Sequence, residues 1–188
     1  MNSFYNKNEL KKFGFRFLGN NVFISKKCSI YGAENISIGN NVRIDDFCIL
    51  SGDISIGNYV HISAFNALYG KYGIKIGNFC GISPRCTLLS ATDDFSGEYM
   101  ISPMVDFKYT NLSTGLIKMC NYTQIGTHSI IMPNITINEG AICGALSFVN
   151  KDLDEWSMYK GIPAKKYKDR SQNIKKMAET YYKELINE

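Results

Sequence analysis

The sequence predicts an all-β fold, a parallel β-helix wound as a triangular coil. Three observations predict it. Ile-Gly-Asn begins at Ile38 and again at Ile56, 18 residues on. A leading aliphatic residue recurs every six positions: Leu18, Ile24, Ile30; Ile38, Ile44, Leu50; Ile56, Ile62, Leu68; Ile76, Ile82, Leu88. After an interruption the series resumes at Ile125, Ile131, Ile137, Cys143 and Val149. The fifth residue is small in many units, as at Cys28, Val42, Cys48, Val60, Cys80, Cys86, Ser129, Ala141 and Ser147. Neither an amphipathic helix nor a simple alternating strand gives a strict period of six. A coil of three units per 18-residue turn does. Each unit is one short strand plus a corner, and successive turns stack at about 4.8 Å.

In chain order, residues 1–17 form an N-terminal cap over one open end of the coil. The coil itself runs from 18 to 170. Two cycles have 20 residues, Leu18 to Ile38 and Ile56 to Ile76. The extra pair is expected at one corner, at Ile36-Ser37 and near Ile74-Lys75. Gly19-Asn20, Gly39-Asn40, Gly57-Asn58 and Gly77-Asn78 share a corner. Both residue types tolerate the positive φ that a tight corner needs. Four of the six cysteines take the small fifth position and Cys143 a leading one. No Cys-x-x-Cys pair exists, so they read as reduced, buried hydrophobes rather than metal ligands. Residues 89–118 break the period and carry acidic, aromatic and hydroxyl side chains. An excursion loop of this length in a compact domain is usually functional. Residues 171–188 show helical spacing at Ile174, Met177, Tyr181 and Ile186, with Ser171 as N-cap. This helix is expected to pack across the far open end, where strand edges would otherwise be unpaired.

Composition bounds the function. The chain has 188 residues, one domain's worth, and a net charge of +4. No basic run interleaved with aromatics points to nucleic acid. No run of 18 apolar residues and no charged-then-apolar leader occurs, so a cytoplasmic protein with no membrane insertion is expected. A mild positive charge suits an acidic small molecule.

The final run is the most specific. Ile125-Gly126, Ile131, Pro133, Ile135, Ile137, Gly140-Ala141, Gly144-Ala145, Ser147, Val149, Lys151-Asp152 and Gly161-Ile162-Pro163-Ala164-Lys165 follow one another at set intervals. With the hexapeptide period and the excursion loop, this run resembles the left-handed β-helix acyltransferases. "GISPRCTLLSATDDFSGEYMISP" is similar to the sugar acetyltransferases of bacterial surface-polysaccharide pathways. The resemblance implies a homotrimer with sites between neighbouring coils, and acetyl-CoA as co-substrate with no metal. It implies a donor track marked by Gly126, Gly144 and Ala145, with Lys151 and Lys165 meeting phosphates. Asn138 and Asn134 replace the glycines common at two corners, and the excursion loop lacks the histidine many such enzymes carry there.

Acyl transfer from a thioester needs a nucleophile, an oriented donor and a proton acceptor. A neutral histidine suits the last role near pH 7. The chain has two, His61 and His128. His61 ends a unit and can project outward, so it is the candidate base, with Asp94 (or Asp93) from the loop orienting it. Asp93 and Glu98 are candidates for binding a sugar acceptor. Transfer to the amino group of a nucleotide-linked amino-deoxy sugar is the expected reaction, because an amine needs less help from a base and the chain offers few basic groups for the site. Transfer to a sugar hydroxyl and a non-catalytic scaffold stay open. The metal-dependent carbonic anhydrases that share such a coil need three zinc-bound histidines, one more than this chain has.

Overall fold

The computed structural model describes residues 3–186. The chain winds as a left-handed parallel β-helix with three faces, and the leading residues stack in register. Leu18, Ile38, Ile56, Ile76, Met119 and Ile137 form the column of the first face. Ile24, Ile44, Ile62, Ile82, Ile125 and Cys143 form that of the second. Ile30, Leu50, Leu68, Leu88, Ile131 and Val149 form that of the third. From Ile38 on, every member is almost fully buried. Transfer of such side chains from water contributes about 1.5–3 kcal/mol each, so the columns are the main stabilising term. The coil resumes at Ile117, before the expected end of the loop, because Ile117–Met119 pairs with Ile74–Ile76. Met119 hides this unit in the sequence because it is not aliphatic.

The corners correct two expectations. Positive φ falls on the fourth residue of a unit, not on the Gly-Asn pair. It occurs at Asn21, Asn41, Tyr59, Phe79 and Tyr122 on the corner after the first face, and at Phe47, Phe65, Arg85, His128 and Leu146 on the next. Left-handed backbone costs roughly 1–2 kcal/mol per residue. Ring stacking, worth about 0.5–1.5 kcal/mol a pair, offsets much of it: Tyr59 and Phe79 lie 4.8 Å apart, and Phe79 and Tyr122 5.5 Å. The Gly-Asn pair has another cause. A Cβ on Gly39 would stand 2.6 Å from the Gly57 carbonyl oxygen of the next coil, so the coils can stack only over glycine. The asparagines form a ladder. Asn40 Oδ1 accepts from Asn20 N at 2.8 Å, Asn58 Oδ1 from Asn40 N at 2.7 Å, and Asn78 Oδ1 from Asn58 N at 2.7 Å.

The extra residues of the 20-residue cycles lie earlier than expected, in the corner between third and first faces. One set forms the turn at Gly32 and Ala33–Asn35, and the other lies around Gly70–Gly73, where the register shifts. Ile36 and Ile74 are instead fully buried. They stack with Ile54 and Ile117 as a second inward column of the first face.

The ends differ from each other. Near the N-terminus, Tyr5 N donates to Ile24 O at 2.9 Å and Lys26 N to Ser3 O at 2.8 Å. The helix Lys7–Lys11 buries Leu10 against the first coil. At the other end the C-terminal helix, Asn173–Ile186, does not close the coil. The exposed edge of Ser157–Lys160 pairs with the antiparallel strand Lys165–Asp169 instead. The helix runs along the corner, where Tyr181 and Tyr182 meet the rings of Tyr59 and Phe79 edge-on. Ser171 Oγ accepts from Asn173 N at 3.2 Å, but the helix starts at Asn173, so Ser171 stands one residue before the N-cap position. Met177 points outward, and Ala178 takes the buried place. The apolar face was misjudged because the partner is an aromatic corner rather than an open end. Met1, Asn2, Asn187, Glu188 and the Ile186 side chain lie outside the described residues.

Candidate functional site

The second face carries His61. Its outward row reads Arg43, His61, Gly81 and Gln124 in register. The ring is half-exposed, and its Nε2 lies 2.7 Å from Asp45 Oδ2. Asp45 Oδ1 accepts from Arg43 Nε at 2.7 Å. Burial pushes the Asp45 carboxyl up, but the hydrogen bonds from Arg43 and His61 outweigh it and hold it below the ordinary carboxylate value. An ionised Asp45 favours the tautomer with the proton on Nε2. Nδ1 is then left as a lone-pair acceptor.

The excursion loop leaves after Leu89 and rejoins at Ile117, at the corner between the third and first faces. A short antiparallel pair, Ala91–Thr92 with Ser113–Thr114, closes its base. That corner is the vertex opposite the second face. His61 and Asp93 therefore line separate cavities. Asp45, not Asp93 or Asp94, orients His61 within one chain. Asp94 is bonded within the loop: it accepts from the Ser96 hydroxyl, from Ser96 N at 2.7 Å and from Asn111 Nδ2 at 3.4 Å. These bonds, the Ser96 hydroxyl first, hold its carboxyl below the ordinary value. Asp93 lines a cavity of about 310 Å³ with Lys71, Ser102 and Phe107. Glu98 is exposed near the loop tip.

The expected donor residues divide. Gly126, Gly144 and Ala145 share the corner after the second face. Gly126 is required by stacking, since a Cβ there would collide with Ala145 N and the Gly144 carbonyl carbon. At Gly144 a Cβ would come no closer than 3.4 Å, to Lys160 Cβ. Lys165 pairs with Lys160 across the terminal hairpin and so stands near this corner. Lys151 lies one face away, on the corner after the third. His128 is exposed on the same corner as Gly126, with φ of 58°. Sequence reasoning missed Asp45 and Lys160. Asp45 was legible in principle, because the residue two beyond Arg43, the neighbour of His61 one coil back, can reach its ring. Lys160 was not, because the hairpin that brings it to Gly144 has no period.

A parallel β-helix with an excursion loop and a glycine-marked corner beside two lysines defines a hexapeptide-repeat acyltransferase. The bacterial transferase hexapeptide family (six repeats) matches residues 35–70. The chain is 39% identical over 183 residues to dTDP-4-amino-4,6-dideoxy-D-glucose acyltransferase of Escherichia coli, covering 96% of this chain and 95% of that one. It is similar to AntD, an N-acyltransferase from Bacillus cereus solved with dTDP and 3-hydroxybutyryl-CoA, at 49% identity and a TM-score of 0.97 over 98% of this chain and 99% of that one. A serine-to-alanine variant of AntD was also solved with dTDP-4-amino-4,6-dideoxyglucose and coenzyme A, a match with a TM-score of 0.96 at 49% identity over 98% of this chain and 100% of that one. The chain belongs to the hexapeptide-repeat acyltransferases and is a CoA-dependent acyltransferase.

Proposed function

We propose that this enzyme moves a short acyl group, acetyl or a close homologue, from its CoA thioester to the amino group of a dTDP-linked amino-deoxy sugar. The observation that carries this reading is the end-to-end correspondence with AntD, which holds dTDP-4-amino-4,6-dideoxyglucose and coenzyme A. The donor lies along the corner of Gly144 and Ala145. Lys160 and Lys165 at its end fit phosphate groups. The amine attacks the thioester carbonyl, the tetrahedral intermediate collapses, and the CoA thiolate leaves. His61 Nδ1 takes the proton that the amine loses, while Asp45 stabilises the ring that gains it. An amine needs less help from a base than a hydroxyl does, which favours N- over O-transfer in a site with few basic groups. A stacked coil with no chemistry, the scaffold reading, would not need this apparatus.

The reading includes a homotrimer in the cytoplasm serving surface-polysaccharide synthesis. Each site combines the second face of one chain with the loop of the next. Support comes from the loop, where Phe95, Met104 and Phe107 are each more than 80% exposed and call for a cover. AntD has been solved with substitutions of a serine and of an aspartate ten positions apart. Ser83 and Asp93 of this chain stand at that spacing, which favours Asp93 as the loop carboxylate that meets the acceptor.

The test is turnover of dTDP-4-amino-4,6-dideoxyglucose with acetyl-CoA and with 3-hydroxybutyryl-CoA, followed by free thiol and by product mass. One acyl group per sugar, in an amide that resists hydroxylamine, is expected. A hydroxylamine-labile ester, or transfer to dTDP-glucose at a similar rate, overturns the assignment.

A further inference from the structure

We propose that the N-terminal end of the coil is a docking surface for an anionic lipid bilayer. Residues 1–27 hold six basic residues and one acid, Glu9, a balance of +5. The whole chain is +4, so all the rest sums to −1. Three of the six charges are met locally. Arg16 pairs with Asp53 at 2.8 Å, Lys26 with Glu9 at 2.9 Å and Lys27 with Asp46 at 2.9 Å. Lys7, Lys11 and Lys12 are exposed, on the cap helix Lys7–Lys11 and at its C-cap. Among the described residues none of the three makes an ion pair. Lys12 lies near Glu9, but Lys26 already meets that charge. Between the cap and the first coil is a cavity of about 400 Å³. Tyr5, Leu10, Leu18 and Val22 wall it, Lys7 and Lys11 border it, and among the described residues no carboxylate lines it.

The first coil supplies the apolar part. Phe17, Phe23 and Tyr31 stand beside the leading residues of the first, second and third faces and point outward, 56%, 46% and 59% exposed. The next coil carries Ser37, Arg43 and Ser51 in these places, and the one after it Ser55, His61 and Tyr69. Among the described residues, only the first coil bears an exposed hydrophobic ring there on every face. Rings around a cationic end suit a bilayer surface, because aromatic rings settle at headgroup level and lysines attract anionic phosphates. The cavity offers apolar walls under Lys7 and Lys11 to the upper part of a lipid. No helix among the described residues is long and apolar enough to cross a membrane, and surface contact alone is proposed. Residues 11–17, Lys-Lys-Phe-Gly-Phe-Arg-Phe, correct the expectation that no basic run is interleaved with aromatics. Phe13 and Phe15 stack at 5.6 Å, and Phe13 meets Tyr5 edge-on at 5.0 Å. These rings are engaged within the cap rather than set out as a platform for bases, which disfavours nucleic acid. A ring of three coils set side by side, as proposed above, would repeat the end three times in one plane, and the contacts would act as linked sites.

The experiment is co-sedimentation of the full-length protein with vesicles of phosphatidylcholine, alone or with about 30% phosphatidylglycerol, at low salt and at about 0.5 M NaCl. Wild type should pellet with the anionic vesicles at low salt, far less at high salt, and hardly at all with phosphatidylcholine alone. One variant combines Lys7→Gln, Lys11→Gln and Lys12→Gln, and should lower the partition coefficient about 10²-fold, roughly 5-fold for each lysine. A second combines Phe17→Ser and Tyr31→Ser, both at exposed sites, and should lower it at least about 5-fold. Thermal midpoint and turnover of soluble substrates should stay at the wild-type values in both, so the reaction proposed above is judged separately from the docking. Equal pelleting with neutral vesicles overturns the proposal, as does full binding by the lysine variant. Full binding by the ring variant also overturns it, since diffuse charge attraction would then suffice. Larger species in light scattering without lipid, dispersed by either variant, would give the end to a second copy of the chain instead. Displacement from the vesicles by a short DNA duplex would give it to nucleic acid, and either result overturns the bilayer.

Discussion

His61 and His128 differ in what holds them. His128 stands on an exposed corner, and among the described residues no carboxylate bonds to its ring. His61 is fixed through Nε2 by Asp45, itself fixed by Arg43. A base held in one tautomer on a rigid strand meets the requirement for positioned proton transfer. His61→Asn should therefore lower kcat at least about 10²-fold, within the usual range for loss of a general base. His128→Asn should change it less than about 10-fold. Steady-state kinetics at pH 7.5 on both variants decides, and a reversed order would sink the assignment to His61. Asp45 has a signature of its own in folding. Its folded-state pKa is depressed, so its contribution to stability is fully present above the unfolded value of about 3.9 and is lost as pH falls through the folded value. Urea denaturation of wild type and Asp45→Asn should differ more at pH 7 than at pH 3. An equal gap at both pH values would remove the ion pair from the stability account.

At the scale of the elements, the corner after the first face decides how the coils stack. Gly39→Ala places a methyl 2.6 Å from the Gly57 carbonyl oxygen, and the backbone must shift. Overpacking of this kind costs about 1–3 kcal/mol. Asn58→Ala removes the acceptor of Asn40 N at an exposed corner where water can replace it, and loss of such a bond costs about 0.5–1.5 kcal/mol. Denaturant midpoints at constant slope would measure both, and a neutral Gly39→Ala would refute the close-approach account of Gly-Asn. The repeat was legible because the inward columns are chemically uniform: Ile38, Ile56 and Ile76 announce themselves. Corner geometry was not, because two different demands, positive φ and close approach, fall on neighbouring residues and both favour Gly and Asn. The aromatic residues that take the positive φ look like surface residues until their stacking is seen. The site was legible in part. His61 stood out as one of two histidines, while Asp45 depends on which side chains lie side by side across coils.

At the scale of the whole molecule, the triangular cross-section separates the parts of the site. The loop springs from the vertex opposite the face that carries His61, so one chain cannot bring Asp93 to the cavity beside that histidine. A ring of three chains can, if the loop of each lies over the second face of its neighbour. A closed ring uses one heterologous contact three times, and every site then takes one residue from each of two chains. This has a consequence no single-chain site shares. Take His61→Asn and Asp93→Asn, each with little activity alone. Mixed trimers contain some sites whose face comes from an Asp93→Asn chain, with His61 intact, and whose loop comes from a His61→Asn chain, with Asp93 intact. Random assembly from equal amounts makes about a quarter of all sites of this kind, since each of the two choices is right half the time. Co-refolding the two variants should thus restore about a quarter of wild-type kcat, and mixing them as folded trimers should restore almost none. Met104→Asp and Phe107→Asp, which put charge on the exposed loop tip, should shift the chain to monomers in light scattering and remove turnover together. Activity of the co-refolded mixture no higher than that of its components would mean that the two residues act within one chain, and the loop would then have to fold back around the coil to reach its own second face.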